Sequence, residues 1–301
     1  MMVSKLQIKN YNMKNKLRII AALLILLICY TAKGLSQSAD TSQLTAVLVV
    51  GHVEESTKAY ISHMNTTAAF FARQGIKVYK FYDKNAKMDD IVRVAAECNF
   101  FVYSGHGSEV QKRYVPGIMC IDKMVSSVEL LDKVKFTKKP LVIYNFVCSA
   151  AGSTESDTCD IQLNEARRRT LHYATTFADM GASGYYATNY DGSVVSFLKI
   201  FFKGKSLLQT FNDNMIEGVV KEKESFHPKY RDLTYVITSS PAYGMQCIPV
   251  YKPDGKFIGF KKVPGFKTYD MALLGPAGLT MDDIRRANAP SQGQALSTSN
   301  E

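Results

Sequence analysis

A histidine and a cysteine each follow a hydrophobic run in this 301-residue sequence. Two residues separate the first run, 100–103, from His106, and Cys148 directly follows the second run, 141–147. A thiolate is a strong nucleophile, and a nearby imidazole can take up its proton and later protonate a leaving amine. These residue types predict that Cys148 is a nucleophile and that His106 is its acid–base partner.

Small residues surround both reactive side chains. Gly107 directly follows the histidine, so its backbone N–H can approach a substrate carbonyl closely. Together with the backbone N–H of Cys148, it is predicted to form an oxyanion hole. Taken singly, Cys148 reads as a buried packing residue and His106 as a turn residue. The conjunction of two strand ends, two reactive groups and small neighbours favours catalysis.

The elements that must position this pair are β-strands of one sheet. Strands are predicted at 45–50, 77–82 and 100–103, with one helix running to Gly75 and another starting at Met88. This alternation predicts parallel strands, whose carboxyl ends meet at one edge of the sheet. Further strands are predicted at 141–147, 185–188 and 233–238, and further helices at 161–180, 194–202 and 206–220. The fold class is therefore α/β with a six-stranded sheet.

The pattern of hydrophobic run, His-Gly, hydrophobic run and Cys resembles the caspase-like cysteine peptidases. This clan includes caspases, legumain, clostripain and the gingipains, and the chain looks most like the bacterial secreted members over residues 45–238. His106 precedes Cys148 by 42 residues. The resemblance implies a three-layer α/β/α sandwich with a mostly parallel six-stranded sheet. It also implies an endopeptidase that hydrolyses polypeptides through a thioacyl-enzyme and needs no cofactor.

The residues that would select the substrate are less well defined. Clostripain-like members tend to carry an acid two residues before the cysteine, where this chain has Phe146. Asp191 and its neighbour Tyr190, at the end of the fifth predicted strand, are candidates to line the S1 pocket. Asp191 precedes Gly192, and the alternative is that this dipeptide is an ordinary turn.

Two other functions and one other site remain open on the sequence. The chain could be a catalytically inactive caspase-like domain that binds a protein partner, since the long excursion at 108–139 and Phe146 leave room for that. It could also be a Cys–His acyl transferase or amidase. The basic run 167–169 could be a self-processing site or a solvated helix face.

The N-terminus and the overall charge bear on location and partners. Residues 1–34 combine six basic residues, no acidic residue, a short apolar run and a small-x-small sequence, as in a secretory signal peptide. We therefore expect a secreted, periplasmic or cell-surface protein without a membrane span in the mature chain. The full net charge is +10, but only +4 remains after residue 34, too little to indicate a nucleic-acid partner.

Domain boundaries and cysteines complete the predictions. A catalytic domain is predicted at 35–250, and 251–301 is predicted to be an extension with a hairpin around Asp254-Gly255 and a disordered tail at 290–301. Signal cleavage leaves five of the six cysteines, and an odd number suggests one free thiol. The other four could form two disulfides of undefined pairing. The cysteine and histidine spacings predict no metal site.

Overall fold

A computed structural model of the protein describes residues 43–110, 113–115, 117–241, 245–254 and 256–287. The predicted signal peptide and the predicted tail lie outside these residues. The described residues form fourteen strands and seven α-helices. The strands are β1 (Thr45–Val50), β2 (Lys77–Tyr82), β3 (Phe100–Ser104), β4 (Ser108–Val110), β5 (Arg113–Val115), β6 (Gly117–Met119), β7 (Met124–Ser126), β8 (Leu141–Asn145), β9 (Gly184–Thr188), β10 (Val220–Phe226), β11 (Thr234–Ser240), β12 (Met245–Tyr251), β13 (Phe257–Pro264) and β14 (Thr268–Gly275). The helices are α1 (Thr57–Arg73), α2 (Met88–Ala95), α3 (Ser127–Lys133), α4 (Leu163–Asp179), α5 (Ser193–Phe201), α6 (Leu207–Asp213) and α7 (Met281–Arg286).

An eight-stranded sheet of order β10-β11-β14-β9-β8-β3-β1-β2 forms the centre of the fold. The five strands from β9 to β2 are parallel to one another, and β14, β11 and β10 add antiparallel pairings. The predicted mostly parallel sheet is therefore confirmed. The predicted number of six strands is wrong, because β10 and β14 join it as well.

Both faces of the sheet are covered by helices, which gives the predicted three-layer α/β/α sandwich. Alternate side chains of each central strand enter opposite cores because successive residues of a strand point to opposite faces. In β3, Phe101 and Tyr103 lie in one core, and Phe100 and Val102 lie in the other. Helices α2, α3 and α4 pack on the first face, and α1, α5, α6 and α7 pack on the second.

The C-terminal part of the chain contributes directly to the sheet. The predicted hairpin is present as β12 and β13, which pair only with each other. The chain then returns as β14, which lies between β9 and β11. The central sheet therefore includes residues beyond position 250, whereas the domain boundaries themselves remain a prediction.

The excursion between β3 and β8 carries two small hairpins and one short helix. Strands β4 and β5 pair with each other, as do β6 and β7. Helix α3 confirms the short helix predicted near 126–134, and the Ser126 hydroxyl accepts a hydrogen bond from the Glu129 N–H at its start. Within the described ranges, no helix is long and apolar enough to cross a membrane.

Candidate active site

The two reactive side chains follow neighbouring parallel strands. Ser104 of β3 lies opposite Asn145 of β8 at the carboxyl end of both strands. The Ser104 hydroxyl donates a 2.6 Å hydrogen bond to the Asn145 carbonyl oxygen, which fixes the two strand ends together. His106 and Cys148 therefore leave the sheet at the same edge, as the sequence predicts. Ligands of open α/β sheets bind at this edge, beside the strand where the order reverses, here β1.

Gly107 brings the two strand ends into direct contact. A β-carbon at this position would lie 2.3 Å from the carbonyl oxygen of Cys148 and 2.8 Å from the hydroxyl of Tyr173. The Tyr173 hydroxyl donates a 3.2 Å hydrogen bond to that same carbonyl oxygen. Only glycine leaves room for this approach, so the backbone following His106 packs against the backbone of Cys148.

Replacing Gly107 with alanine should therefore destabilise the protein by about 1–3 kcal/mol, as is usual for overpacking a filled site. The added methyl group meets backbone atoms, which cannot rotate away. Urea unfolding measures this loss. Gly278→Ala is the matched control, because nothing lies within 4 Å of a β-carbon there. Equal unfolding midpoints for the two variants would contradict the close approach.

The loop that carries Cys148 is bent by two residues in the left-handed region. Phe146 has φ +54° and Ser149 has φ +67°, a backbone conformation that is unfavourable for residues other than glycine. The Ser149 N–H donates a 2.8 Å hydrogen bond to the Ser153 carbonyl oxygen, and the Ser153 N–H donates one to Tyr269 of β14. The surrounding structure thus holds a strained turn around Cys148, which is a common feature of functional sites.

The thiol itself is half-buried and hydrogen-bonded. Burial raises the pKa of Cys148, opposed by hydrogen bonds from the Glu155 N–H and the Thr154 hydroxyl, while the Glu155 charge raises it further. The thiol is therefore protonated at neutral pH, and a base must take up its proton before it can attack. In the part of the chain that the structure describes, Cys98, Cys120, Cys148 and Cys159 are all free. None of these four forms one of the two disulfides considered from the sequence.

The imidazole of His106 is held by a carboxylate. His106 Nε2 lies 3.0 Å from Glu54 Oε2, and the ring is 40% exposed. Glu54 begins a short 3-10 helix after β1, the strand beside β3, so three neighbouring strands supply Glu54, His106 and Cys148. The Tyr103 hydroxyl donates to the His106 carbonyl oxygen and fixes the backbone at the turn.

Sequence reasoning missed Glu54. The signal for it was an acidic pair, Glu54-Glu55, directly after the first strand and hence at the same sheet edge as the histidine. The ring of His106 is hydrogen-bonded to Glu54, while the thiol is hydrogen-bonded by the 154–155 loop. The geometry thus brings the predicted pair to one edge with separate hydrogen-bond partners.

The two candidate S1 residues have different partners. Asp191 Oδ1 lies 2.6 Å from His63 Nδ1, and the His63 ring packs edge-on against Phe146 with centroids 5.4 Å apart. Asp191 therefore connects through His63 to the residue two before Cys148. Tyr190 instead shares a hydrogen bond with Ser240 at the end of β11.

An aromatic pair lies beside the thiol. The rings of Phe146 and Tyr60 stack with centroids 5.6 Å apart and an interplanar angle of 16°. Burial and the charges of Glu155 and Cys148 raise the pKa of Tyr60 to about 12. The phenol therefore stays neutral at physiological pH.

The basic run of helix α4 is structural. Arg169 is buried and Arg168 is bound by Glu165 on the same helix. Arg169 Nη1 lies 2.7 Å from Asp157 Oδ2 and also donates to the Gly152 carbonyl oxygen, so it fastens the loop that follows Cys148. The solvated face considered from the sequence is wrong for Arg169, because a buried ion pair holds it, whereas the self-processing site remains a prediction.

Among solved structures, the chain is similar to the Arg-specific cysteine proteinase gingipain R. The overlap covers 81% of this chain and 63% of that chain, with 14% sequence identity and a TM-score of 0.36. The chain thus spans less than two thirds of the length of the gingipain R chain that it matches. No protein-family model and no curated protein sequence matches the chain.

Proposed function

We propose that the protein is a cysteine endopeptidase in which Cys148 is the nucleophile and His106 the acid–base group. The observation that carries this proposal is the contact at Gly107, which holds the histidine-bearing strand end against the backbone of Cys148. A protonated thiol and an imidazole held by a carboxylate at one sheet edge are the parts that thiol-dependent acyl transfer needs.

In the proposed acylation step, His106 takes the proton from Cys148 Sγ as the sulfur attacks the scissile carbonyl carbon. The oxygen of the tetrahedral intermediate carries the negative charge, and the backbone N–H groups of Gly107 and Cys148 are proposed to donate to it. The C–N bond then breaks, His106 gives its proton to the leaving amine, and a thioester to Cys148 remains.

In the proposed deacylation step, His106 removes a proton from water, which attacks the thioester carbonyl carbon. The C–S bond breaks, the sulfur regains the proton from His106, and the new carboxylic acid leaves and loses its own proton to solvent. Nε2 is bound to Glu54, so Nδ1 is the nitrogen that exchanges protons with sulfur and water. Glu54 is thus a positioning residue for His106.

Replacing Glu54 with glutamine should lower kcat by about 10- to 100-fold and leave KM nearly unchanged. The amide keeps the size of the side chain but no longer stabilises the positive imidazolium that forms in each step. Steady-state kinetics on one peptide substrate measures the split between kcat and KM. Glu55→Gln, at the exposed neighbouring position, is the matched control, and Glu54→Asp should recover part of the rate. A change in KM alone would contradict the positioning role.

Profiling the cleavage products of a complex peptide mixture tests the endopeptidase proposal as a whole. New termini that appear with the intact protein, and not with Cys148→Ala, support it. Transfer of the acyl group to an added amine in place of hydrolysis would instead indicate an acyl transferase.

A second candidate function is an inactive domain that binds a protein partner. The observation that favours it is Phe146, which stacks on Tyr60 and stands where clostripain-like members tend to carry an acid, two residues before Cys148. A thiol-reactive peptide electrophile separates the two functions. Rapid labelling of Cys148 that is lost in His106→Ala supports the enzyme, whereas slow labelling that is independent of His106 supports the binding domain.

Export remains part of the proposal. The support is the predicted signal at 1–34, which lies outside the described residues. Mass spectrometry of the protein recovered from the cell exterior would identify its first residue, expected near position 35. Recovery with residues 1–34 attached would overturn cleavage.

A further inference from the structure

The β12–β13 hairpin is inserted at the same sheet edge as the candidate active site. It connects β11 to β14, and Ser240 at the end of β11 pairs with Thr268 at the start of β14. Strand β14 is antiparallel to β9, and Met271 pairs with Thr188 at the carboxyl end of β9. Both ends of the hairpin connection therefore lie at the carboxyl edge of the parallel strands, where His106 and Cys148 emerge.

The base of the hairpin is also bound to the loop that follows Cys148. The Tyr269 N–H donates a 2.7 Å hydrogen bond to the Ser153 hydroxyl, and the Ser153 N–H donates to the Tyr269 carbonyl oxygen. The Lys267 N–H donates to Asp160. These bonds place the start of β14 against the loop at 149–160.

A bulge aligns three aromatic rings on one face of this hairpin. Tyr251 pairs with Phe257, but the preceding residue, Val250, pairs with Gly259, so one extra residue lies in β13. Gly259 has φ +138°, which suits a bulge. The shift puts Phe257 and Phe260 on the same side as Tyr251. The ring centroids of Tyr251 and Phe257 are 5.7 Å apart, and those of Phe257 and Phe260 are 5.2 Å apart.

These three rings, which we call the aromatic face, are open to solvent. Tyr251 is 54% exposed, Phe257 is 46% exposed and Phe260 is 71% exposed. A contiguous exposed apolar surface of this kind usually marks a binding site. Four exposed lysines border it: Lys252, Lys256, Lys261 and Lys262.

Charged groups of the candidate site affect the Tyr251 end of the aromatic face. Partial burial raises the pKa of Tyr251, and so do the charges of Glu155, Cys148 and Glu54. Two of these three groups are Cys148, the proposed nucleophile, and Glu54, whose carboxylate binds His106. The aromatic face thus lies on a hairpin that leaves the sheet at the edge of the reacting groups, with Tyr251 and Phe257 next to its turn.

We infer that the aromatic face is a subsite that binds apolar side chains of the polypeptide substrate next to the scissile bond. This inference rests on the proposed function and names the substrate class for the same site. The occupant is an extended segment with an aromatic or large aliphatic residue, and the lysines favour acidic residues on either side of it. Aromatic side chains supply large contact area at low entropy cost, and each ring pair adds specific contact energy.

The test compares Phe257→Ala/Phe260→Ala with the wild type on peptide substrates that differ only by Phe or Ser at one position near the scissile bond. For the wild type, we expect the change from Phe to Ser to raise KM about tenfold at the sensitive position, as two aromatic contacts predict. The double variant should lose this discrimination, with equal KM values for the two peptides. Phe226→Ala is the matched control, because Phe226 is 65% exposed on β10.

Binding measurements separate failure of this inference from failure of the proposed function. Fluorescence anisotropy of the same peptides, labelled, is measured with Cys148→Ala and with Cys148→Ala/Phe257→Ala/Phe260→Ala. Weaker binding of the Phe peptide by the triple variant supports the subsite even where the intact protein hydrolyses nothing. Equal binding by both proteins overturns it. Sedimentation with vesicles of equimolar phosphatidylcholine and phosphatidylglycerol is a further test. The subsite is overturned in favour of a membrane-binding face if the wild type sediments with the vesicles, the double variant does not, and both proteins discriminate equally between the peptides.

Discussion

Replacing Cys148 with alanine should abolish peptide hydrolysis, with a loss in kcat of about 10⁴-fold or more. The thiol is the proposed nucleophile, and without it no thioacyl-enzyme can form. His106→Ala should lower kcat to a similar level, and the double variant should be no worse than either single one, because groups that act as a unit lose their effect together. Active-site titration and steady-state kinetics measure both losses.

Cys159→Ala is the matched control for this experiment. Cys159 is a free, exposed cysteine on the loop between Cys148 and helix α4, so it reports any general effect of removing a thiol nearby. We expect its kinetics to equal those of the wild type. Hydrolysis at the wild-type rate by Cys148→Ala would exclude the nucleophile assignment.

Replacing Arg169 with methionine should lower the free energy of unfolding by about 3–5 kcal/mol. The side chains of Arg169 and Asp157 are 6% and 7% exposed, and the substitution leaves the Asp157 carboxylate buried without its cation. Removing one partner of a buried pair is costly because the other charge has lost both water and its counter-ion. Urea unfolding measures the change.

Arg168→Met is the control for Arg169. Arg168 is 46% exposed and pairs with Glu165 one turn earlier, so its loss should change stability by only about 0.5 kcal/mol. Hydrogen bonds from Arg168 lower the pKa of Glu165 to about 2. The Glu165 carboxylate therefore stays charged at the neutral pH of the comparison. Equal unfolding midpoints for the two methionine variants would show that the buried pair does not stabilise the fold.

The central parallel strands could be predicted because each one is buried on both faces. Val47 and Leu48 in β1 and Ile143 and Tyr144 in β8 are fully buried, and such strands appear in sequence as short continuous apolar runs. The same reasoning placed His106 and Cys148 at one edge. The topology of parallel strands leaves no other position for residues that directly follow two neighbouring strands.

The strands added at the other end of the sheet could not be found in this way. β10 has the sequence VKEKESF, and its exposed, charged side chains are typical of an edge strand, so it lacks an apolar run. The helix predicted at 206–220 runs past Asp213, where α6 ends, and reaches the first residue of β10. β14 follows a segment rich in glycine and lysine, and only its partners β9 and β11 show that it enters the sheet.

Single side-chain roles were the hardest to predict. Arg169 has the same local sequence signal as its neighbours in the run at 167–169, and it is distinguished only by Asp157, which a loop brings to it. Glu54 likewise becomes important only once β1 lies beside β3. Both contacts join parts of the chain that are distant in sequence, which residue type and spacing do not encode.

The hairpin that carries the aromatic face has a consequence for how this kind of protein diversifies. Its two strands pair only with each other, and its ends enter adjacent strands of the sheet. Its length, sequence and ring composition can therefore change between lineages without altering the strands that carry Glu54, His106 and Cys148. On the proposed function, chemistry and recognition lie on separate segments, so exchanging this one hairpin should change the substrate and leave the proposed catalytic residues in place.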